Sequence, residues 1–284
     1  MKSIALIMLL LILSSCNGNV SSQKSPAKAR TKADDEVSSA VKTFNQNTEK
    51  GLNELIKLAN SGNDKAACLL GTLYARGNGV PASLQKAEMW YKKSAAKGND
   101  EAEYFLGLYY LTGAAQGINK NIREGIRLLE DSASKGNDKS MGYLGKQLFL
   151  GKIMAKDINR GMSLMKQSAD MDNGQAQYDY AASIFFNDNG PRDLNTARTY
   201  CAKSFEHNID NSKKLLAFID IDILKSQPIT DDSAYALGNN YMLVGEYNNA
   251  KSAFRRACYG RDESDSRNPQ SPACMMYYRL ETGM

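Results

Sequence analysis

Residues 71–95 read GTLYARGNGVPASLQKAEMWYKKSA. Small, aromatic and apolar residues stand at helical intervals on both sides of Gly77-Asn78-Gly79, and few reactive groups accompany them. That is the pattern of two amphipathic helices joined by a glycine turn. Whether it is a single hairpin or one copy of a recurring unit decides whether to look for an active site or for a binding surface.

Self-similarity along the chain answers this. Gly62-Asn63-Asp64 returns as Gly98-Asn99-Asp100 and Gly136-Asn137-Asp138, then in weaker form around Asp172 and Asn208, at spacings of 36, 38, 36 and 36 residues. Downstream of each lies a similar first helix, marked by Ala66-Leu70-Tyr74, Ala102-Leu106-Tyr110, Ser140-Leu144-Leu148 and Ala176-Tyr180-Ile184. Steps of four put each set on one helical stripe. The residue after the central member is always small: Gly71, Gly107, Gly145 and Ala181. Glycine inside a helix costs ~1 kcal/mol relative to alanine, so its return at a fixed phase predicts close approach of a neighbouring helix. A second helix recurs through Ala87 and Trp90, Gly125 and Leu128, Gly161 and Leu164, and Ala197 and Tyr200, where each large residue is expected to fill the seam. The intervening turn is Gly77 to Val80 in the first copy and Gly113 to Ile118 in the next, with Gly151 and Gly190 in later ones.

The combination of Leu70, Gly71, Tyr74, Gly77, Gly79, Val80, Lys86, Ala87, Trp90, Ala95, Ala96 and Gly98 resembles the Sel-one-like repeat, a subclass of the tetratricopeptide class. The resemblance fades in the fourth copy, where Phe205 replaces the small residue found at Ala95, Ala133 and Ala169. After a linker from Ser226 to Thr230, the run Ala234-Leu237-Gly238-Tyr241 with Gly245, Tyr247, Ala250, Phe254 and Ala257 is similar to an ordinary tetratricopeptide repeat. What the resemblance implies is an all-α, right-handed α-α superhelical solenoid. Residues 48–225 would form the Sel-one-like array, opening on a half-unit at 48–60, residues 226–258 the tetratricopeptide-like repeat, and 259–284 an irregular tail.

In this class first helices line a concave surface. Carrying that geometry over places Arg76, Tyr104, Leu108, Leu111, Lys139, Lys146, Phe149, Tyr178, Phe185, Phe186, Phe218 and Tyr235 on a partner-binding face, with Lys65, Cys68 and Asn239 beside them. Aromatic residues interspersed with cations suit the capture of another protein.

The N-terminus carries a separate message. Lys2 precedes an apolar run from Ile4 to Leu13, too short to span a bilayer, which takes ~20 residues. Residues 1–15 therefore read as a cleaved signal peptide. Leu13-Ser14-Ser15-Cys16 resembles the bacterial lipobox, which implies a diacylglycerol on Cys16. Asn17 in place of an aspartate then implies outer-membrane rather than inner-membrane retention, facing the periplasm. Residues 16–47, rich in Ser, Ala, Lys, Asn and Asp, are expected to be a disordered tether.

The formal charge of +5 is mild and the basic residues are scattered, so nothing favours nucleic acid as a partner. His207 is the only histidine, and no G-x-S-x-G elbow accompanies a serine. Neither a nitrogen-sulfur metal cluster nor a phosphate loop is present, and Asp220 with Asp222, or Asp262, Glu263 and Asp265, lacks calcium-loop spacing. No catalytic residue, metal or cofactor is thus predicted. In an oxidising compartment Cys258 and Cys274, 16 residues apart, are expected to form a disulfide, whereas Cys68 and Cys201 stand in distant copies. Together these readings describe a lipid-anchored, periplasm-facing protein-binding scaffold. The resemblance suggests an immunity protein against a toxin effector such as a secreted phospholipase. The alternatives are an adaptor for secretion, pilus or cell-wall machinery and, from another class, a cell-wall or β-lactam hydrolase.

Overall fold

A computed structural model describes residues 32–113, 120–187, 192–259 and 270–283. Among the described residues there are 14 helices and no strand. In chain order they are α1 (Lys32–Gln46), α2 (Thr48–Asn60), α3 (Asp64–Arg76), α4 (Leu84–Ala95), α5 (Asp100–Thr112), α6 (Ile122–Ser134) and α7 (Asp138–Leu150). There follow α8 (Ile158–Asp170), α9 (Gly174–Phe185), α10 (Leu194–Glu206), α11 (Ser212–Lys225), α12 (Asp231–Val244), α13 (Tyr247–Tyr259) and α14 (Pro272–Thr282). The chain divides into two compact units, residues 1–141 and 142–284, with the boundary inside α7. The signal peptide at 1–15, Cys16 and the tether as far as residue 31 lie outside the described residues. So do 114–118 of the second turn, Gly190, and Asp262, Glu263 and Asp265.

Each hairpin closes by an exchange of large and small side chains. In the first unit Gly71 of α3 lies under Tyr91 of α4, so that a Cβ on this glycine would stand 2.6 Å from the ring. Gly107 of α5 receives Leu129 of α6 in the same way, and Gly125 of α6 receives Leu111 of α5. The second unit repeats the device. Gly145 takes Met165, Gly238 takes Phe254, and Gly161 lies against the backbone of Phe149. In the fourth copy the corresponding residues are Ala181 and Cys201, a larger floor beneath a smaller plug, both within one buried cluster. The plug is therefore Tyr91, Leu129, Met165, Cys201 and Phe254, all almost fully buried. It sits one residue after the large residue expected from sequence at Trp90, Leu128, Leu164 and Tyr200. An offset of four from the small residue of the second helix, rather than three, aims the side chain at the partner helix.

The Gly-Asn-Asp phrase has a separate job for each member. Gly62, Gly98 and Gly136 adopt left-handed φ values of 98°, 81° and 95°, which an L side chain resists, and so end one helix. The asparagine caps the next helix: Asn63, Asn99, Asn137 and Asn173 each accept a backbone N–H three residues on, at 2.9 Å. The aspartate receives the following repeat, since Asn99 Nδ2 donates to Asp64 Oδ2 at 2.8 Å and Asn137 Nδ2 to Asp100 Oδ2 at 3.1 Å. Fully buried Ser94 and Ser132 donate to the Asp64 and Asp100 carbonyls, each at 2.7 Å. The polar phrase thus fixes the register between neighbouring repeats.

Two expectations need correction at the ends. Residues 32–46, assigned to the tether, form α1, because Val37, Ala40 and Phe44 make an apolar stripe that packs on the core of the first unit. Gly51 of α2 lies directly over the Phe44 backbone, and Asp34 pairs with Lys65 of α3. The leading segment is accordingly a whole hairpin, α1–α2, not a half-unit. The C-terminal tail also contains a helix: Ser271 caps α14 by accepting from the Cys274 N–H at 3.3 Å, with Pro272 in the first turn. Cys258 of α13 and Cys274 of α14 are joined by a disulfide, their Cα atoms 4.7 Å apart. Among the described residues no helix is long and apolar enough to cross a membrane.

Candidate interaction surface

The first helices carry both the seam and the face proposed for a partner, and adjacent positions part company sharply. In the first unit Leu108 and Leu111 are buried, not open. Leu111 fills the space over Gly125, the reciprocal of the Leu129 contact, so its assignment to a binding face was a one-residue error of helical phase. Cys68 is buried as well. Arg76 is half-buried at the end of α3. Tyr104 and Lys139 both meet Phe105: the Tyr104 ring lies 5.2 Å from it and Lys139 Nζ 5.8 Å over it. Lys139 is also committed within the fold, its Nζ 3.1 Å from Glu101 Oε1.

In the second unit Lys146 pairs at 2.8 Å with Asp179, whose side chain is largely covered, so this cation too is occupied. Phe149 is half-buried against α8. Phe185 is buried and corrects another expectation of exposure. It occupies the same seam place as Leu111 and Phe149, two repeats apart from the former. Phe186, the next residue, turns outward and is 62% exposed. The two rings meet edge-on at 4.9 Å, and the Arg192 guanidinium lies 5.4 Å over Phe185. Tyr178 and Phe218 are half-buried on the same cluster, which contains Ala181, Ile184, Phe185, Cys201, Leu215 and Ile219. Burial, with Asp179 beside it, raises the Tyr178 hydroxyl pKa. Tyr235 belongs elsewhere, half-buried 5.7 Å from Phe254.

Tyr178, Phe185 and Phe218 therefore share one cluster, with Phe186 edge-on against Phe185, whereas Tyr235 packs with another. Arg192 was missed by the sequence reading, although it follows the glycine-proline turn directly. It donates to the Phe185 carbonyl at 3.3 Å and to Asp222 Oδ2 at 3.0 Å, linking the end of α9 to α11. Leu150 and Leu243 were missed too. They occupy the place of Phe186 in other hairpins of this unit and are likewise exposed.

The groups weighed for chemistry are engaged structurally. His207 Nε2 lies 3.0 Å from Asp172 Oδ1, which also accepts from Gln177 Nε2 at 3.2 Å. These bonds hold the Asp172 carboxyl below its ordinary pKa, chiefly through His207. Asp220 binds Arg198 and Asp222 binds Arg192. Burial raises both free thiols, Cys201 to about 12, so neither is poised as a thiolate. Among the described residues no three His, Cys, Asp or Glu side chains gather as a metal site.

The family model for the Sel1 repeat matches residues 64–99, 100–137, 139–173 and 174–208. Among solved structures the chain is similar to a Sel1 repeat protein from Oxalobacter formigenes, at 21% identity and a TM-score of 0.60 over 87% of this chain and 96% of that one. It is similar at 18% identity and a TM-score of 0.51 to a protective antigen of uropathogenic Escherichia coli strains displaying an SLR fold, over 88% of this chain and 61% of that one. An immunity protein from Pseudomonas aeruginosa matches at 18% identity and a TM-score of 0.46, over 80% and 84%. At these identities the likeness concerns the fold alone.

Proposed function

The chain belongs to the Sel1 repeat family, α-α solenoid proteins that typically act as non-catalytic interaction scaffolds, and from that premise we propose that it captures another protein on the aromatic patch around Phe186. The observation behind this reading is Phe186 itself. Its ring is mostly in water yet rests edge-on against a buried phenylalanine, with a guanidinium at the base. A rigid aromatic beside an arginine loses little conformational freedom on binding, and such residues dominate the energetics of protein interfaces.

More specifically, the protein is an immunity protein held by a lipid on Cys16 at the periplasmic face of the outer membrane, where it neutralises a toxin effector such as a secreted phospholipase. The lipobox-like Leu13-Ser14-Ser15-Cys16 supports this placement, since an inhibitor must be present where the toxin arrives. A stoichiometric inhibitor needs a gripping surface and no turnover. That agrees with the structural engagement of His207, Asp220 and Asp222.

The test uses residues 17–284 immobilised against the product of a toxin gene encoded beside this one, and against envelope extract. Phe186→Asp, and the double variant Tyr178→Asp/Phe186→Asp, should remain helical by circular dichroism. Each should weaken capture at least ~30-fold, the loss of a ~2 kcal/mol anchor. Undiminished capture by a folded variant would place the partner on another surface. Capture of envelope machinery, with no protection against any adjacent toxin, would replace the immunity reading with that of an adaptor.

A further inference from the structure

The C-terminal end of the chain carries a feature that the partner surface does not use. α14 has 11 residues, fewer than the ~12–15 below which an isolated helix is marginal in water. Only Ala273 and Cys274 are fully buried in it. Met276, Tyr277 and Leu280 are half-covered against the cluster of Leu237, Tyr241 and Phe254, while Met275 and Tyr278 face solvent. Its polar ties to α13 include an ion pair between Glu281 and Lys251 and a hydroxyl contact between Tyr278 and Tyr259. Both lie at the surface, where such contacts contribute little. One tie is of another order: the disulfide from Cys274 to Cys258, which closes a separation of 16 residues. The same helix covers Ala234 and Ala257, with Ile229 and Tyr235 packed alongside.

We propose that the Cys258–Cys274 disulfide is a redox latch on α14. Oxidised, it holds the helix across the last hairpin. Reduction by a dithiol breaks the S–S bond with two electrons and two protons from the reductant, which leaves as its own disulfide, and Cys258 and Cys274 become free thiols. The short helix then detaches and bares an apolar face that includes Ala257, Ile229 and Tyr235. Both cysteines are buried, so the reductant enters by partial fraying of α14, and only the broken bond lets the helix leave altogether. The earlier hairpins are unaffected, because each repeat is stabilised by its immediate neighbours.

Hydrogen exchange followed by mass spectrometry on the full chain tests the latch. It compares the oxidised protein, the protein treated with dithiothreitol, and the Cys258→Ser/Cys274→Ser variant. Protection of residues 272–282 should fall about 100-fold in the reduced protein and in the variant, the ratio equivalent to the ~3 kcal/mol of such a loop closure. Residues 64–206 should keep theirs. Equal protection of 272–282 in the variant and the oxidised chain would overturn the proposal. So would a variant that loses protection while dithiothreitol leaves the native chain unchanged, since the bond would then be structural without being switchable. Loss of protection throughout 64–206 would overturn it as well, by making the bond a support of the whole fold.

Discussion

Replacing Gly71 by alanine should destabilise the first unit, and the same replacement should stabilise it once Tyr91 is gone. The added Cβ would stand 2.6 Å from the Cδ1 and Cε1 atoms of Tyr91, where carbon atoms prefer ~3.5–4.0 Å. The ring has nowhere to go. It is 1% exposed, stacks on Phe105 at 5.1 Å, meets Tyr109 edge-on at 5.7 Å, and its hydroxyl lies 3.2 Å from Thr72 Oγ1. Overpacking of this kind costs ~1–3 kcal/mol, while glycine to alanine inside a helix returns ~1 kcal/mol, leaving a net loss of up to ~2 kcal/mol. Tyr91→Ala alone should cost ~3–5 kcal/mol through the cavity it opens. In that background the clash is absent and Gly71→Ala should gain up to ~1 kcal/mol, so the coupling between the sites is ~1–3 kcal/mol. Trp90, the only tryptophan, is buried beside Tyr91, and its fluorescence during urea unfolding reports on this hairpin. An equal effect of Gly71→Ala in both backgrounds would refute the reciprocal packing of small and large residues.

Two further outcomes follow from the burial and hydrogen bonding of single groups. In residues 17–284, oxidised and folded, Cys68 and Cys201 should not react with an aromatic disulfide reagent at pH 8, because burial raises both thiols, and both should react after denaturation. Rapid labelling of the native chain would contradict their placement. The Asp172 carboxyl is held below its ordinary 3.8 by His207, with Gln177 and Lys203 adding to the effect. Its stabilising contribution is therefore complete above that ordinary value and disappears as pH falls through the lowered one. The urea midpoint of Asp172→Asn should accordingly decline less steeply below pH ~4 than that of the parent protein; parallel declines would show that the contact to His207 has no thermodynamic weight.

The repeat was legible because its signals are local and independent. A left-handed glycine, a capping asparagine and a fixed small residue each leave a mark on the sequence wherever they recur. The partner face was much less so. Leu111 and Phe185 differ from their exposed neighbours Thr112 and Phe186 by one step of ~100° around the helix, and only packing decides which of two adjacent apolar residues turns inward. The cations were misjudged for a related reason. Lys139 and Lys146 lie on the first helices, as expected, but Glu101 and Asp179 are 38 and 33 residues away in sequence, and a reading by repeat position does not pair them. α1 escaped notice because Val37, Ala40 and Phe44 are sparse within a stretch of Ser, Lys and Asp. In α14 the Ser271-Pro272 start is present, but a helix of 11 residues with only Ala273 and Cys274 buried carries too short an apolar stripe to stand out by periodicity.

The size matching within hairpins bears on how the chain avoids misassembly. Tandem copies of similar sequence risk closing one repeat's first helix on another repeat's second helix, a trap characteristic of such arrays. Here the plugs differ: tyrosine, leucine, methionine, cysteine and phenylalanine in turn. A helix bearing Ala181 would clash with Tyr91, and one bearing Gly71 would leave a hole beside Cys201. The variation that makes the copies look degenerate to a family pattern thus gives each hairpin a private key, and the cost of a wrong partner is set in advance by the volume of a single side chain.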